Sequence, residues 1–277
     1  MRLFIACAAM IILLTARSEA QNSTAPTKST VSNPFDDPVR LYERGMLFLE
    51  GDDDEEEGMD PDPVKAVEYF QKAADKNHAM AQFQLAAAYR FGRGVKKDLD
   101  QALQWYRKAV EQDCIEAQID LGVMYYTGEG VKQDYAAAIQ LWRKASEKGS
   151  VVAQTNLGVM YENGTGVEQD FTQALQWFRK AADRGDASAE NELGFMYENG
   201  NGVEKNPVQA VEWYRKGVKG GNARAEFHLA EAYELGRGVN KDFDQALQLY
   251  RHAAKRGEER AVKRMEQIEQ AQKTKTN

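Results

Sequence analysis

A period of 36 residues runs through this chain and constrains it more than any other feature. Five consecutive copies begin at His78, Cys114, Ser150, Asp186 and Asn222, and the last closes at Gly257 with no insertion or deletion between them. A unit this short cannot enclose a core of its own. It must bury its apolar face against its neighbours, so an unbroken register over five copies specifies an array of stacked repeats.

Comparing the copies within the chain separates constant from variable positions. Ala81, Ala117, Ala153, Ala189 and Ala225 form one constant column; Leu85, Leu121, Leu157, Leu193 and Leu229 stand four residues on; Tyr89, Tyr125, Tyr161, Tyr197 and Tyr233 stand four further. Steps of four place Ala, Leu and Tyr on one stripe of an α-helix, helix A. Beside that stripe Ala86, Gly122, Gly158, Gly194 and Ala230 are always small, which predicts close approach of another backbone.

Each helix A runs into a Gly-x-Gly-Val turn, as at Gly92–Val95 and Gly164–Val167, because glycine tolerates the left-handed conformation that ends helices. A phosphate-cradling loop would need a preceding strand and a further glycine, and neither is present. Asp98, Asp134, Asp170, Asn206 and Asp242 then offer N-caps to a second helix, B. Proline follows the cap in Asp62-Pro63 and Asn206-Pro207, where its missing amide hydrogen does no harm. Gln101, Gln173, Gln209 and Gln245 complete a capping-box-like pattern. Helix B carries Ala102, Leu103, Tyr106 and Ala109, repeated as Ala174, Leu175, Phe178 and Ala181, and its Trp105, Trp142, Trp177 and Trp213 are explained by packing between repeats. Ser150, Asp186 and Asn222 are good caps for the following helix A; His78 and Cys114 occupy the same column as weaker ones.

The ends of the array deviate, as the caps of a stacked array should. Residues 37–77 form a degenerate first copy, recognisable in Phe48, Gly51, Asp62-Pro63, Ala66 and Lys72-Ala73-Ala74, with its turn lengthened by an acidic insertion, Asp52–Glu57. Residues 258–277 read as a lone helix A with a tail, a C-terminal cap whose exposed side has no partner to cover. At the other end, Arg2, the apolar run Leu3–Leu14 and the small residues of Ser18-Glu19-Ala20 have the pattern of a signal peptide over residues 1–20, followed by a Ser/Thr/Pro-rich leader over 21–36. The apolar run is shorter than the roughly 20 residues that span a bilayer. The expected setting is therefore export, to a periplasm or the cell exterior, or to the ER lumen in a eukaryote, with no integral membrane segment in the mature chain.

Removing residues 1–20 takes away Arg2, Arg17 and Glu19, and moves the net charge from −7 to −8. That balance, without a basic stripe, argues against nucleic acid as a partner. Cys7 leaves with the signal, so Cys114 has no intramolecular partner and is read as a buried thiol or one that pairs with another chain. The mature histidines, His78, His228 and His252, fall in three different columns and make no ligand-spaced cluster. The acidic insertion does not match a calcium loop: with Gly58 at the sixth position, Val64 falls where a bidentate glutamate must be. The sequence assigns no cofactor and no metal.

The run Ala-Gln-x-x-Leu-Gly-x-Met-Tyr-x-x-Gly-x-Gly-Val, at Ala117–Val131 and Ala153–Val167, followed by Asp-x-x-x-Ala-x-x-Trp-x-x-Lys-Ala as in Asp170–Ala181, closely resembles the Sel1-like repeat family, a relative of tetratricopeptide repeats. The resemblance covers Asp37 to about Gln272. It implies an all-α fold, a right-handed α/α superhelical solenoid of about six helix-turn-helix repeats with a C-terminal capping helix, and a non-catalytic role as a protein-binding adaptor. Disulfide-stapled secreted members pair a cysteine within each repeat, and this chain lacks those cysteines. Some of those members are linked with β-lactam binding, which supplies the competing reading of a secreted β-lactam-binding hydrolase. No serine here is followed three positions later by lysine, and neither Gly-x-Ser-x-Gly nor His-Glu-x-x-His occurs.

Three helix A columns change from copy to copy. They are Phe83, Ile119, Thr155, Asn191 and Phe227; Ala87, Val123, Val159, Phe195 and Glu231; and Arg90, Tyr126, Glu162, Glu198 and Glu234. Spacings of four and three set them on one face, and similarity to tetratricopeptide repeats implies that this face is the concave wall. A groove lined by them would be apolar toward Phe83, Ile119, Val123, Tyr126 and Val159 and acidic toward Glu162, Glu198, Glu231 and Glu234. It would suit an extended or helical segment with apolar anchors and a basic flank. The other reading is that these are ordinary solvated or half-buried positions.

Overall fold

A computed structural model describes residues 37–51 and 60–276, with side chains placed as far as residue 270. The signal-peptide pattern, the leader and the acidic insertion lie outside the described residues. Thirteen α-helices and no strand make up what is described, and they divide into two compact units at Ser150/Val151. The first unit holds α1 (Pro38–Glu50), α2 (Pro63–Asp75), α3 (Ala79–Phe91), α4 (Leu99–Glu111), α5 (Ile115–Thr127) and α6 (Tyr135–Glu147). The second holds α7 (Val151–Asn163), α8 (Phe171–Ala182), α9 (Ala187–Asn199), α10 (Pro207–Lys219), α11 (Ala223–Leu235), α12 (Phe243–Lys255) and α13 (Glu259–Thr276). Odd-numbered helices up to α11 are the A helices, even-numbered ones the B helices. The chain is an all-α repeat solenoid.

The capping chemistry is what the sequence specifies. Asp98, Asp134, Asp170, Asn206 and Asp242 each accept a hydrogen bond from the amide three residues on, at 2.9–3.1 Å. His78 also caps, its Nδ1 accepting from the Ala81 amide at 3.1 Å, whereas Cys114 makes no side-chain cap bond. At the other end of the A helices, Gly92, Gly128, Gly200 and Gly236 stand in the left-handed conformation. The second turn glycine answers a different need. A Cβ on Gly202 would sit 2.6 Å from the Phe171 carbonyl oxygen, because this turn, like those of Gly94, Gly130 and Gly238, is pressed against the start of the preceding repeat's B helix.

Within each unit every helix packs on the next in sequence, and α9 also touches α11, the A helix of the following repeat. The constant stripe forms the core: Ala81, Leu85, Ala153, Leu157, Ala189 and Leu193 are fully buried. The column of small residues has a cause other than the one its sequence suggests. What approaches Gly158 and Gly194 is an aromatic ring rather than a backbone: an added Cβ would lie 2.5 Å from the Phe178 ring and from the Tyr214 ring respectively, and on Gly122 it would collide with Trp142. Each ring comes from the B helix of the same repeat, so small residue and flat ring together set how closely the hairpin closes. The tryptophans divide by column. Trp142 is fully buried and donates to the Ile119 carbonyl at 3.1 Å, while Trp105, Trp177 and Trp213 lie under Lys108, Lys180 and Lys216 at 3.8–4.3 Å. In the second unit α13 covers the last hairpin, setting Ala261, Met265 and Ile268 against Phe227, Ala246, Tyr250 and Ala253.

Candidate functional site

Of the three variable columns, the one that begins at Phe83 is buried throughout. Phe83, Ile119, Thr155, Asn191 and Phe227 all turn into the fold, Phe83 against Tyr106 with ring centres 6.0 Å apart and Phe227 against Tyr250 at 5.6 Å. In the column that begins at Ala87 the two units differ. Ala87 and Val123 are buried in the first, whereas Val159, Phe195 and Glu231 are part-exposed at equivalent points of α7, α9 and α11.

The third column is a set of charge and ring contacts with two recurring partners. One partner is the turn of the following repeat, 39 positions on. Arg90 binds Glu129 at 2.8 Å, and Glu198 binds Arg237 at 2.9 Å, the same link with the signs exchanged. The other is the B helix ring of the same repeat, 16 positions on. The Tyr214 hydroxyl donates to Glu198 at 2.7 Å, the Tyr250 hydroxyl donates to Glu234 at 2.8 Å, and Tyr126 packs on Trp142 at 5.9 Å. Glu234 takes its arginine from α13, as Arg264 closes on both carboxylate oxygens. Burial works to raise the Glu234 pKa, but the hydrogen bonds from Arg264 and Tyr250 outweigh it and hold the carboxylate below its ordinary value.

Glu162 departs from this pattern at both positions. The residue 16 on is Phe178, which packs on Gly158 as Tyr214 packs on Gly194 but has no hydroxyl to give. The residue 39 on is Asn201, between Gly200 and Gly202, where Glu198 finds an arginine. The buried Oε1 of Glu162 has no hydrogen-bond partner. Burial, with Glu192 adding repulsion, pushes its carboxyl up to about 8.

One column that sequence reasoning missed runs beside these three. Gln84 and Asp120 in the first unit, and Asn156, Glu192, His228 and Arg264 in the second, occupy equivalent points of the A helices and of α13; Asp120, Asn156 and His228 are buried and the other three part-exposed. Asp120 accepts from the Tyr106 hydroxyl at 3.2 Å and lies 3.9 Å from Arg90. In the second unit Asn156 holds a buried amide nitrogen without a partner, Glu192 lies 4.0 Å from Arg224, and His228 is stacked on Tyr214 with Glu231 at 3.5 Å. Burial raises the Glu192 pKa, against the charges of His228 and Arg224. The available signal was the rarity of a polar column next to an apolar one, every 36 residues.

Cys114 is buried, its Sγ 3.3 Å from Glu116 Oε2, and burial pushes the thiol up to about 12. Among the described residues no group of three or more His, Cys, Asp or Glu side chains is placed to hold a metal ion, and no helix is long and apolar enough to cross a membrane.

The profile of the Sel1 repeat matches residues 41–78, 79–114, 115–150, 151–186, 187–222 and 223–258. The chain belongs to the Sel1-repeat family. Sel1-repeat proteins are in general non-catalytic scaffolds for protein–protein contact. A crystallised Sel1 repeat protein from Oxalobacter formigenes is 34% identical, with 82% of this chain and 91% of that one covered and a TM-score of 0.74. The protective antigen c5321 of uropathogenic Escherichia coli, which displays the same fold, is also 34% identical, with a TM-score of 0.71; 82% of this chain is covered and only 47% of the antigen, so the chain spans about half that protein's length. The immunity protein Pa5087 of Pseudomonas aeruginosa is 26% identical over 82% of this chain and 83% of its own, with a TM-score of 0.52. No curated protein matches the sequence.

Proposed function

We propose that this chain is an exported, non-catalytic adaptor that binds a segment of another protein along the A helix face of its second unit. The observation that carries the reading is the part-exposed column Val159, Phe195 and Glu231, flanked by Glu162: two apolar side chains and two carboxylates on the side of the A helices that the framework leaves uncovered. An extended or helical segment with an apolar anchor and a basic residue matches that surface. The burial of Phe83, Ile119, Val123 and Tyr126 confines the proposal to this unit, and Glu198 and Glu234 enter it only through the outer edges of their ion pairs. Export rests on the pattern of residues 1–20. Membership of the Sel1-repeat family, whose proteins are in general non-catalytic scaffolds, supports binding rather than turnover.

The test is a displayed library of random peptides selected on the purified protein, with a parallel selection on Phe195→Ser combined with Glu231→Lys, both proteins matched by circular dichroism. Enrichment of peptides that combine an apolar residue with arginine or lysine, lost in the double variant, is the expected result. Selection of the same peptides by both proteins would remove this face from consideration. For the competing reading, turnover of a hydrolase substrate panel, β-lactams included, that is abolished by a point mutation would replace the adaptor with an enzyme.

A further inference from the structure

The A helices of the second unit carry the same carboxylate position three times, and the three are treated differently. At Glu198 a tyrosine hydroxyl and the guanidinium of Arg237 are both within hydrogen-bond distance, at 2.7 and 2.9 Å. At Glu234 the same two groups recur as Tyr250 and Arg264. The guanidinium comes from a different element in each case, a turn in one and α13 in the other. What the position selects is therefore the side chain, whatever element brings it. Glu162 has neither group from its own chain, because Phe178 and Asn201 stand at the matching points, although it occupies the same helical position and Phe178 packs on Gly158 as Tyr214 packs on Gly194. A carboxylate oxygen that is buried and unpartnered has a strong preference for a charged donor, and arginine offers two parallel donors in a plane.

We propose that Glu162 is a receptor for an arginine side chain of the bound protein, whose guanidinium takes the part that Arg237 plays at Glu198. This deepens the adaptor reading and rests on it, since Val159, one turn before Glu162, is part-exposed and would carry the apolar neighbour of that arginine. The titratable group facing Glu162 is Glu192 of α9, of the same sign; α8 presents Phe178. A guanidinium that enters next to two carboxylates expels the proton from Glu162, so binding tightens as pH rises from about 6 to about 9. The elevated pKa of Glu162 agrees with this direction.

The experiment follows the carboxyl carbon of Glu162 by NMR through a pH titration of the full protein, with and without N-acetyl-arginine methylamide. The uncharged citrulline analogue and the lysine analogue serve as controls. The arginine probe is expected to lower the titration midpoint of Glu162 by at least one pH unit, which corresponds to about tenfold tighter binding to the charged form. The citrulline analogue should leave it in place, and the lysine analogue should move it less. Asn201→Arg should lower the midpoint with no probe present and weaken the probe at least about tenfold, by supplying the guanidinium internally. Glu162→Gln should abolish the probe's pH dependence. A midpoint unmoved by saturating arginine probe, equal binding of the probe to Glu162→Gln, or a lysine analogue as effective as arginine would each overturn the proposal. The two readings fail separately. Peptides enriched on the unit without an arginine at Glu162 would sink the receptor alone, and a probe that binds Glu162 while no peptide is selected would sink the adaptor face alone.

Discussion

Burial and the neighbouring charge of Glu192 displace the Glu162 carboxyl from its ordinary 4.5 to about 8. A folded-state pKa raised above the unfolded value means that the native protein holds a proton that the unfolded chain releases over that interval. The associated stability is fully present below about 4.5 and is lost as pH rises toward about 8. Denaturant midpoints measured between pH 5 and 9 should therefore decline, and Glu162→Gln, which is neutral throughout, should flatten the decline. An identical slope in the two proteins would place the titration elsewhere. Cys114 shifts upward too, because burial disfavours its thiolate and Glu116 lies beside it. Since the thiolate is the reacting form, a thiol held at about 12 should be labelled by iodoacetamide at pH 8 roughly a thousandfold more slowly in the native protein than in urea. Fast labelling of the native protein would mean that the sulfur is reachable and ionised.

Helix A is held by a stripe whose spacing is visible in the sequence, and Leu157 is its fully buried centre in α7. Leu157→Ala should cost about 2–5 kcal/mol in a denaturant titration of the second unit, and a cost below about 0.5 kcal/mol would put the stripe on the wrong side of the helix. The stripe, the turn glycines and the Asp and Asn caps were legible because each depends on neighbours a few residues away in the same helix. The small column was legible as a tight contact, although not as to what fills it: that Phe178 and Tyr214 lie on Gly158 and Gly194 depends on how two helices close. Variable columns were harder still. Variation from copy to copy suggests surface, but Arg90 with Glu129 and Glu198 with Arg237 show that a packed contact also varies when both of its members change together. Phe83 and Phe227 pack on Tyr106 and Tyr250 of their own B helices, so variation in that column does not mark a surface either. In the column of Glu198 and Glu234 such matching stops at Glu162, whose buried Oε1 has no hydrogen-bond partner.

A stacked array has no natural end, and its last hairpin would leave an apolar face in water. In the second unit α13 answers that demand with Ala261 and Ile268, both buried, with Met265 packed beside them, and with Arg264 on Glu234. The faces they cover belong to Phe227, Tyr250 and Ala253, residues of the same columns that inner repeats cover with the next helix A. The ends of repeat proteins require such caps for solubility and stability. Deleting residues 258–277 should remove the buried Ile268, at about 1.5–3 kcal/mol, together with the smaller Ala261, and leave Glu234 with Tyr250 as its remaining partner of the two. A chain of this size should then lose roughly 5–10 °C of melting temperature, bind a dye that reports exposed apolar surface, and sediment partly as higher oligomers. If the shortened protein melts where the full chain does and sediments as the full chain does, the last hairpin closes on itself, and α13 is an appendage rather than the end of the stack.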